Sequence, residues 1–138
     1  MIVDSSAIIC ILKNEVGWER LFEIMYATAN LSMSATNYFE CCQVIDSKQD
    51  PVFSQKLNEL LLRLHVTIVS LTVPQVEIAR IAFQTYGKGI NSKSKLNHCD
   101  CIAYALAKET GEPLLFVGND FIHTDIIPAL DPPILSPE

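Results

Sequence analysis

The chain reads as an α/β protein with a short, mainly parallel sheet. Three observations predict this: brief apolar or β-branched runs alternate with helix-period segments; Ser, Thr, Asn and Pro stand where helices would begin; and the chain holds a single unbroken apolar pattern. Of 138 residues, 49% are hydrophobic and 8% aromatic, enough for one domain with a core of its own.

Met1–Val3 is the first apolar run, ended by Asp4, with Ser5 and Ser6 offering N-caps to a helix running toward Lys13. Glu15–Ala27 carries Trp18, Leu21, Phe22 and Met25 at helical spacing. Leu31–Ser34 reads as a strand, and Ser34 or Thr36 caps a helix over Asn37–Lys48. Pro51 opens a helix whose stripe of Phe53, Leu57, Leu60, Leu61 and Leu64 faces core or, with Trp18 and Phe22, a partner helix. Val66–Leu71 is β-branched and reads as a strand. Thr72–Tyr86 is helical, opened by Pro74 and closed by Gly87, and Gly87–Lys95 follows as a polar loop. Asn97 caps a helix through Thr110, which Gly111 ends. Pro113–Val117 is a buried strand, Asp120–Thr124 a short helix or turn, and Ile126–Ile127 a last strand before the Pro-rich 131–138 tail.

Sixteen acidic against ten basic residues leave a formal charge of −6, which excludes a histone-like polyanion binder. No apolar run approaches the twenty or so residues of a membrane span, and no secretion signal opens the sequence, so a cytoplasmic protein is expected. The five cysteines, Cys10, Cys41, Cys42, Cys99 and Cys101, lack C-x-x-C spacing and read as small buried hydrophobes in a reducing compartment.

Four carboxylates stand apart from the solvated remainder. Asp4 ends the first strand, Glu40 lies in the apolar segment Tyr38–Ile45, Asp100 opens the apolar helix after Asn97, and Asp120 follows the Leu114–Val117 run. Asp4 and Asp120 are equally placed to cap helices, Asp100 to favour a helix dipole and Glu40 to face solvent. In a parallel sheet, however, functional groups gather beyond the carboxyl ends of the strands. Carboxylates brought together there raise one another's pKa unless a cation compensates. An all-oxygen donor set suits Mg²⁺ or Mn²⁺, whose chemistry is phosphodiester cleavage. Rival motifs are missing: there is no G-x-S-x-G, P-loop or G-x-G-x-x-G. Between Arg80 and Cys99 no acidic residue occurs, and Lys88, Lys93 and Lys95 fall in the loop before Asp100, where they would clamp phosphates or simply be solvated.

Met1-Ile2-Val3-Asp4-Ser5-Ser6-Ala7 resembles the opening of PIN-domain ribonucleases, specifically the VapC toxins of type II toxin–antitoxin systems. Leu96-Asn97-His98-Cys99-Asp100-Cys101-Ile102-Ala103-Tyr104-Ala105-Leu106-Ala107-Lys108 extends the likeness, as do Gly118-Asn119-Asp120-Phe121 and Thr124-Asp125-Ile126. The resemblance implies a three-layer α/β/α sandwich over residues 1–130, a site for Mg²⁺ or Mn²⁺, cleavage of structured RNA such as tRNA, a homodimer, and inhibition by a VapB antitoxin through which any contact with DNA is made. By position Asp4, Glu40 and Asp100 match the family's first three carboxylates, and Ser6 a small hydroxyl near the metal. Relatives often read Gly-Asp-Asp-Phe where this chain has Gly118-Asn119-Asp120-Phe121, so Asp120 is the acid left to complete the site, with Asn119 a neutral supporting ligand. On this reading Asp4, Asp100 and Asp120 hold the cation, and Glu40 orients or deprotonates the attacking water or ligates the ion. Alternatives are a PIN-fold nuclease of RNA processing without a toxin role, and a weakly active or inactive binding module.

Overall fold

The computed structural model describes residues 1–90 and 93–136. In chain order the elements are β1 (Ile2–Val3), α1 (Ser5–Leu12), α2 (Trp18–Ala27), β2 (Leu31–Ser34), α3 (Ala35–Asp46), α4 (Pro51–Arg63), β3 (Val66–Val69), α5 (Val73–Tyr86), α6 (His98–Thr110) and β4 (Leu114–Leu115). The four strands form one parallel sheet in the order β3-β2-β1-β4. The α/β reading with a short parallel sheet holds.

The period of two along each strand divides the core. Val3 and Leu115 point into a cluster with Ile8, Leu21, Met25, Cys41, Ile45, Leu57 and Leu61, from α1 to α4. Their neighbours Ile2 and Leu114 point the other way, into Ala79, Ala82, Ile102, Leu106, Phe116 and Phe121, beneath α5 and α6. Three layers result, with the sheet in the middle. Ala103, Ala105 and Ala107 are buried in α6, and their small side chains let that helix lie close to its neighbours. Burying a Leu, Ile or Phe side chain contributes about 1.5–3 kcal/mol, so the two clusters supply the stability of this small sheet.

The helix starts follow local chemistry. Asp50 caps α4 through the amides of Val52 and Phe53, with Pro51 at the first position. Thr72 and Gln75 form a capping box on α5, and Ser34 caps α3 through the Thr36 amide. Gly111 ends α6 at φ 71°, a left-handed conformation that glycine adopts without penalty.

Some expected boundaries move. Asp4, rather than Ser5 or Ser6, caps α1, because its carboxylate accepts from the Ser6 amide at 3.1 Å. The third strand stops at Val69, where pairing with Ser34 ends. No strand forms at Ile126–Ile127; instead Leu114 donates to the Ile127 carbonyl and accepts from the Ala129 amide, an isolated parallel bridge centred on Pro128. Residues 120–124 are a turn rather than a helix. In the α4 stripe Leu57, Leu61 and Leu64 are buried and Phe53 and Leu60 pack beside them, so most of the stripe is core. The final segment returns to the domain: Gly118 donates to the Ile134 carbonyl at 2.8 Å, and Ile134 packs on the first cluster. Expectations for Asn91, Ser92, Pro137 and Glu138, in the polar loop and the tail, lie outside the described residues.

Candidate active site

The carboxyl ends of three strands define the region. Asp4 directly follows β1, and its amide donates to the Leu115 carbonyl at 2.9 Å. Ser34 ends β2 and starts α3, which carries Glu40 two turns in. The chain beyond β4 leads through Val117 and Gly118 to Asn119 and Asp120. Gly118 sits at φ 104°, so the turn that leads into Asp120 needs a glycine. Asp100 arrives separately, in the first turn of α6.

Asp4 is 3% exposed and Asp100 7%, unusual values for carboxylates. Each is held by a local hydrogen bond. The Ser6 hydroxyl donates to Asp4 Oδ2 at 2.5 Å, and Asp100 Oδ2 accepts from the Asn97 amide at 3.0 Å in a reciprocal capping box. Ser6 Oγ also accepts from the Val117 amide at 3.0 Å, tying α1 to the segment after β4. Ser5 donates to Glu40 Oε1, fixing α3 against α1.

Electrostatics show which carboxylates share a field. Burial pushes Asp4 up to about 6, with Glu40 adding to the rise while hydrogen bonds from Ser6 oppose it. Asp100 is pushed up to about 8, first by burial and then by the charge of Asp4, with Asp120 and Glu40 adding to it. The charges that act most strongly on these two are other carboxylates. The four carboxylates singled out in the sequence are therefore in one electrostatic neighbourhood. They do not meet at a point: among the described residues no three His, Cys, Asp or Glu side chains converge into a formed metal cage. Asp4, Glu40 and Asp100 are each turned instead toward a hydroxyl or amide of their own.

The donor chemistry nevertheless fits a hard divalent cation. Asp4 Oδ1 is buried with no hydrogen-bond partner, while Oδ2 of the same group is fully engaged with Ser6. A buried acceptor lacking a donor is costly, and positive charge is the natural complement to it. The surrounding carboxylate oxygens are the ligands Mg²⁺ and Mn²⁺ prefer. Asp120 is partly buried, whereas Asn119 is exposed.

Lys88, Lys93 and Lys95 are all exposed. Their loop is anchored rather than free at its ends: Gly87 bridges to Leu96, Leu96 is fully buried, and Ser94 is 1% exposed with its hydroxyl at 3.5 Å from the His123 carbonyl. Of the cysteines, Cys10, Cys41 and Cys101 are buried and Cys42 and Cys99 half-buried, all as free thiols. Cys99 faces Glu40, Asp100 and Asp4, and its thiol is pushed up by burial and by these charges.

Three contributors were not singled out by the sequence. Ser5 was read as a cap and instead holds Glu40. Asn97 was read as a cap and in addition holds the Asp100 carboxylate. Asn37 is wholly buried on α3, and its Nδ2 donates to the Cys99 carbonyl at 3.1 Å. Asn37 lies in the first turn of its helix, where asparagine is common, so the sequence carried no signal for it.

A PIN domain family model matches residues 1–127. The chain is 41% identical over 129 residues to Ribonuclease VapC42 of Mycobacterium tuberculosis, covering 94% of this chain and 98% of that protein. It is 41% identical over 131 residues to Ribonuclease VapC28 of the same organism, covering 95% and 98%. Among solved structures, the sarcin-ricin loop cleaving toxin VapC20 of M. tuberculosis matches with a TM-score of 0.70 at 12% identity, over 91% of this chain and 95% of that one. VapBC2 from Rickettsia felis, bound to a DNA fragment from its promoter, matches with a TM-score of 0.64 at 15% identity, over 98% and 96%. At those identities the structures bear on the fold alone, and the sandwich is theirs too. Sequence and fold together place the chain in the PIN-domain family, as a member of its VapC ribonuclease group.

Proposed function

We propose that the protein is the ribonuclease toxin of a type II toxin–antitoxin pair, a divalent-cation-dependent endonuclease acting on structured RNA such as tRNA. The observation that carries the reading is Asp4: a carboxylate buried at a strand end, one oxygen clamped by Ser6, the other without a donor, in the field of Asp100. Asp4, Asp100 and Asp120 are the residues that would hold Mg²⁺ or Mn²⁺. A divalent ion held by them would supply positive charge for phosphodiester chemistry and would lower the pKa of water.

The chain's own groups do the rest. Ser6 and Asn97 fix the Asp4 and Asp100 carboxylates before substrate arrives, so little reorganisation accompanies the reaction. Glu40, held by Ser5 and partly exposed, is placed to orient a water molecule or take its proton. Lys88, Lys93 and Lys95 supply phosphate contacts that offset the protein's net negative charge. A VapB-type antitoxin would oppose this activity and carry any contact with DNA, and the toxin would act as a homodimer. No helix among the described residues is long and apolar enough to cross a membrane, and a cytoplasmic location is part of the reading.

The test is induced expression of the wild type beside Asp100→Asn in a bacterium, followed by mapping of RNA ends. New ends in total RNA should appear with the wild type only. Metal-dependent cleavage retained by purified Asp100→Asn would contradict the assignment. Cleavage without growth arrest would favour a nuclease of RNA processing, and Mn²⁺ uptake without cleavage an inactive binding module.

A further inference from the structure

Asn37 has no part in the chemistry described above, yet it is completely buried. Its Nδ2 donates to the Cys99 carbonyl at 3.1 Å, across 62 residues of sequence, and its Oδ1 is buried without a partner. The two buried side-chain acceptors without donors among the described residues are this oxygen and Asp4 Oδ1. Burying a carboxamide for packing alone is unfavourable when a leucine or alanine would fill the space. Its retention therefore calls for something the amide does.

Its position shows what that is. Asn37 and Glu40 are three residues apart on α3 and share a face, with Cys41 beside them. This face is already latched to α1 by Ser5, which donates to Glu40, and by the Cys41 thiol, 3.9 Å from the Ser5 carbonyl. Asn37 latches the same face to α6. The carbonyl it binds belongs to the residue preceding Asp100, in the first turn of the helix, and a carbonyl can accept a second donor beside its helical one. One amide thus joins the helix that carries Glu40 to the turn that carries Asp100.

We infer that Asn37 is a positioning residue, fixing the turn that carries Asp100 against the helix that carries Glu40, and through Asp100 setting the affinity of the carboxylate site for a divalent cation. The inference rests on the cation-dependent reading above. Groups that orient metal ligands without touching the metal commonly change affinity by 10- to 100-fold when removed.

The test is calorimetric titration of the intact protein with Mn²⁺, at a temperature well below unfolding, for wild type, Asn37→Ala and Asn37→Gln. The Gln variant keeps the carboxamide on an arm one methylene longer and covers the case in which Asn37→Ala does not fold. Mn²⁺ affinity should fall about tenfold or more in Asn37→Ala, and by an intermediate factor in Asn37→Gln. RNA cleavage should lose kcat with KM little changed. A folded Asn37 variant that melts earlier but binds Mn²⁺ as tightly as wild type overturns the inference and leaves the nuclease reading intact. Wild type that takes up no Mn²⁺ overturns both.

Discussion

The Ser6 hydroxyl donates to Asp4 Oδ2 at 2.5 Å while accepting from the Val117 amide at 3.0 Å. One small side chain thus orients the most buried carboxylate and pins the segment leading to Asp120. Ser6→Ala removes both bonds, stranding the Val117 amide and leaving Asp4 Oδ2 with the Ser6 amide alone. Loss of about 1–3 kcal/mol of stability is expected for the stranded group. Denaturant unfolding checks it. Mn²⁺ affinity should fall alongside, by about tenfold, and an unchanged affinity would show that Asp4 needs no orienting partner.

Asp100→Asn separates the demands of function and fold at one position. The carboxamide keeps an oxygen for the Asn97 amide and keeps the capping geometry. It removes a buried charge that burial and Asp4 both oppose. Metal-free Asp100→Asn should therefore melt at the same temperature as wild type or higher at pH 8, while RNA cleavage falls below detection. A variant that loses activity because it unfolds would point to a structural role for Asp100 instead.

The elements were legible in the sequence because each rests on local chemistry. Pro51, Thr72, Asn97 and Gly111 mark helix ends by their own hydrogen-bonding and backbone preferences, and the structure puts an end at each. The Ile126–Ile127 strand failed because pairing is non-local: β-branched residues favour extension, but the pairing with β4 is a single bridge at Pro128. The candidate carboxylates were legible as acids out of place among apolar neighbours. What supports them was not. That Ser5 reaches Glu40 across 35 residues, or Asn37 the Cys99 carbonyl across 62, depends on how α1, α3 and α6 pack. No spacing rule along one helix encodes that. The resemblance to a family supplied the grouping of Asp4, Glu40 and Asp100 that periodicity alone left open.

The loop preceding α6 gives an independent test of RNA contact. Lys88, Lys93 and Lys95 are exposed on a segment whose ends are joined by the Gly87–Leu96 bridge. Replacing all three with alanine should weaken RNA binding across sequences alike and reduce the slope of log affinity against log salt by about 2, at about 0.7 per phosphate contact on single-stranded regions. Filter binding from low to moderate salt measures it, using an Asp100→Asn background to prevent cleavage. An unchanged slope would assign the three lysines to solvent.

The raised carboxylates also set how stability responds to pH. In the unfolded chain Asp4 and Asp100 ionise near 3.8, whereas in the folded protein they ionise at about 6 and about 8. Well below pH 3.8 both are protonated in both states and contribute nothing. Between these limits the folded state retains protons that the unfolded state has released, so stability falls as pH rises, by up to about 1.4 kcal/mol per pH unit for each group. Metal-free wild type, held in chelator, should thus lose several degrees of melting temperature between pH 5 and pH 8 relative to the Asp4→Asn, Asp100→Asn double variant, which lacks both titrations. Mg²⁺ or Mn²⁺ should restore the loss at pH 8 and do little at pH 5, where protons compete for the same oxygens. Should wild type and the double variant respond to pH in parallel, Asp4 and Asp100 would be ordinary acids in the folded protein, and the electrostatic case for a cation between them would fall.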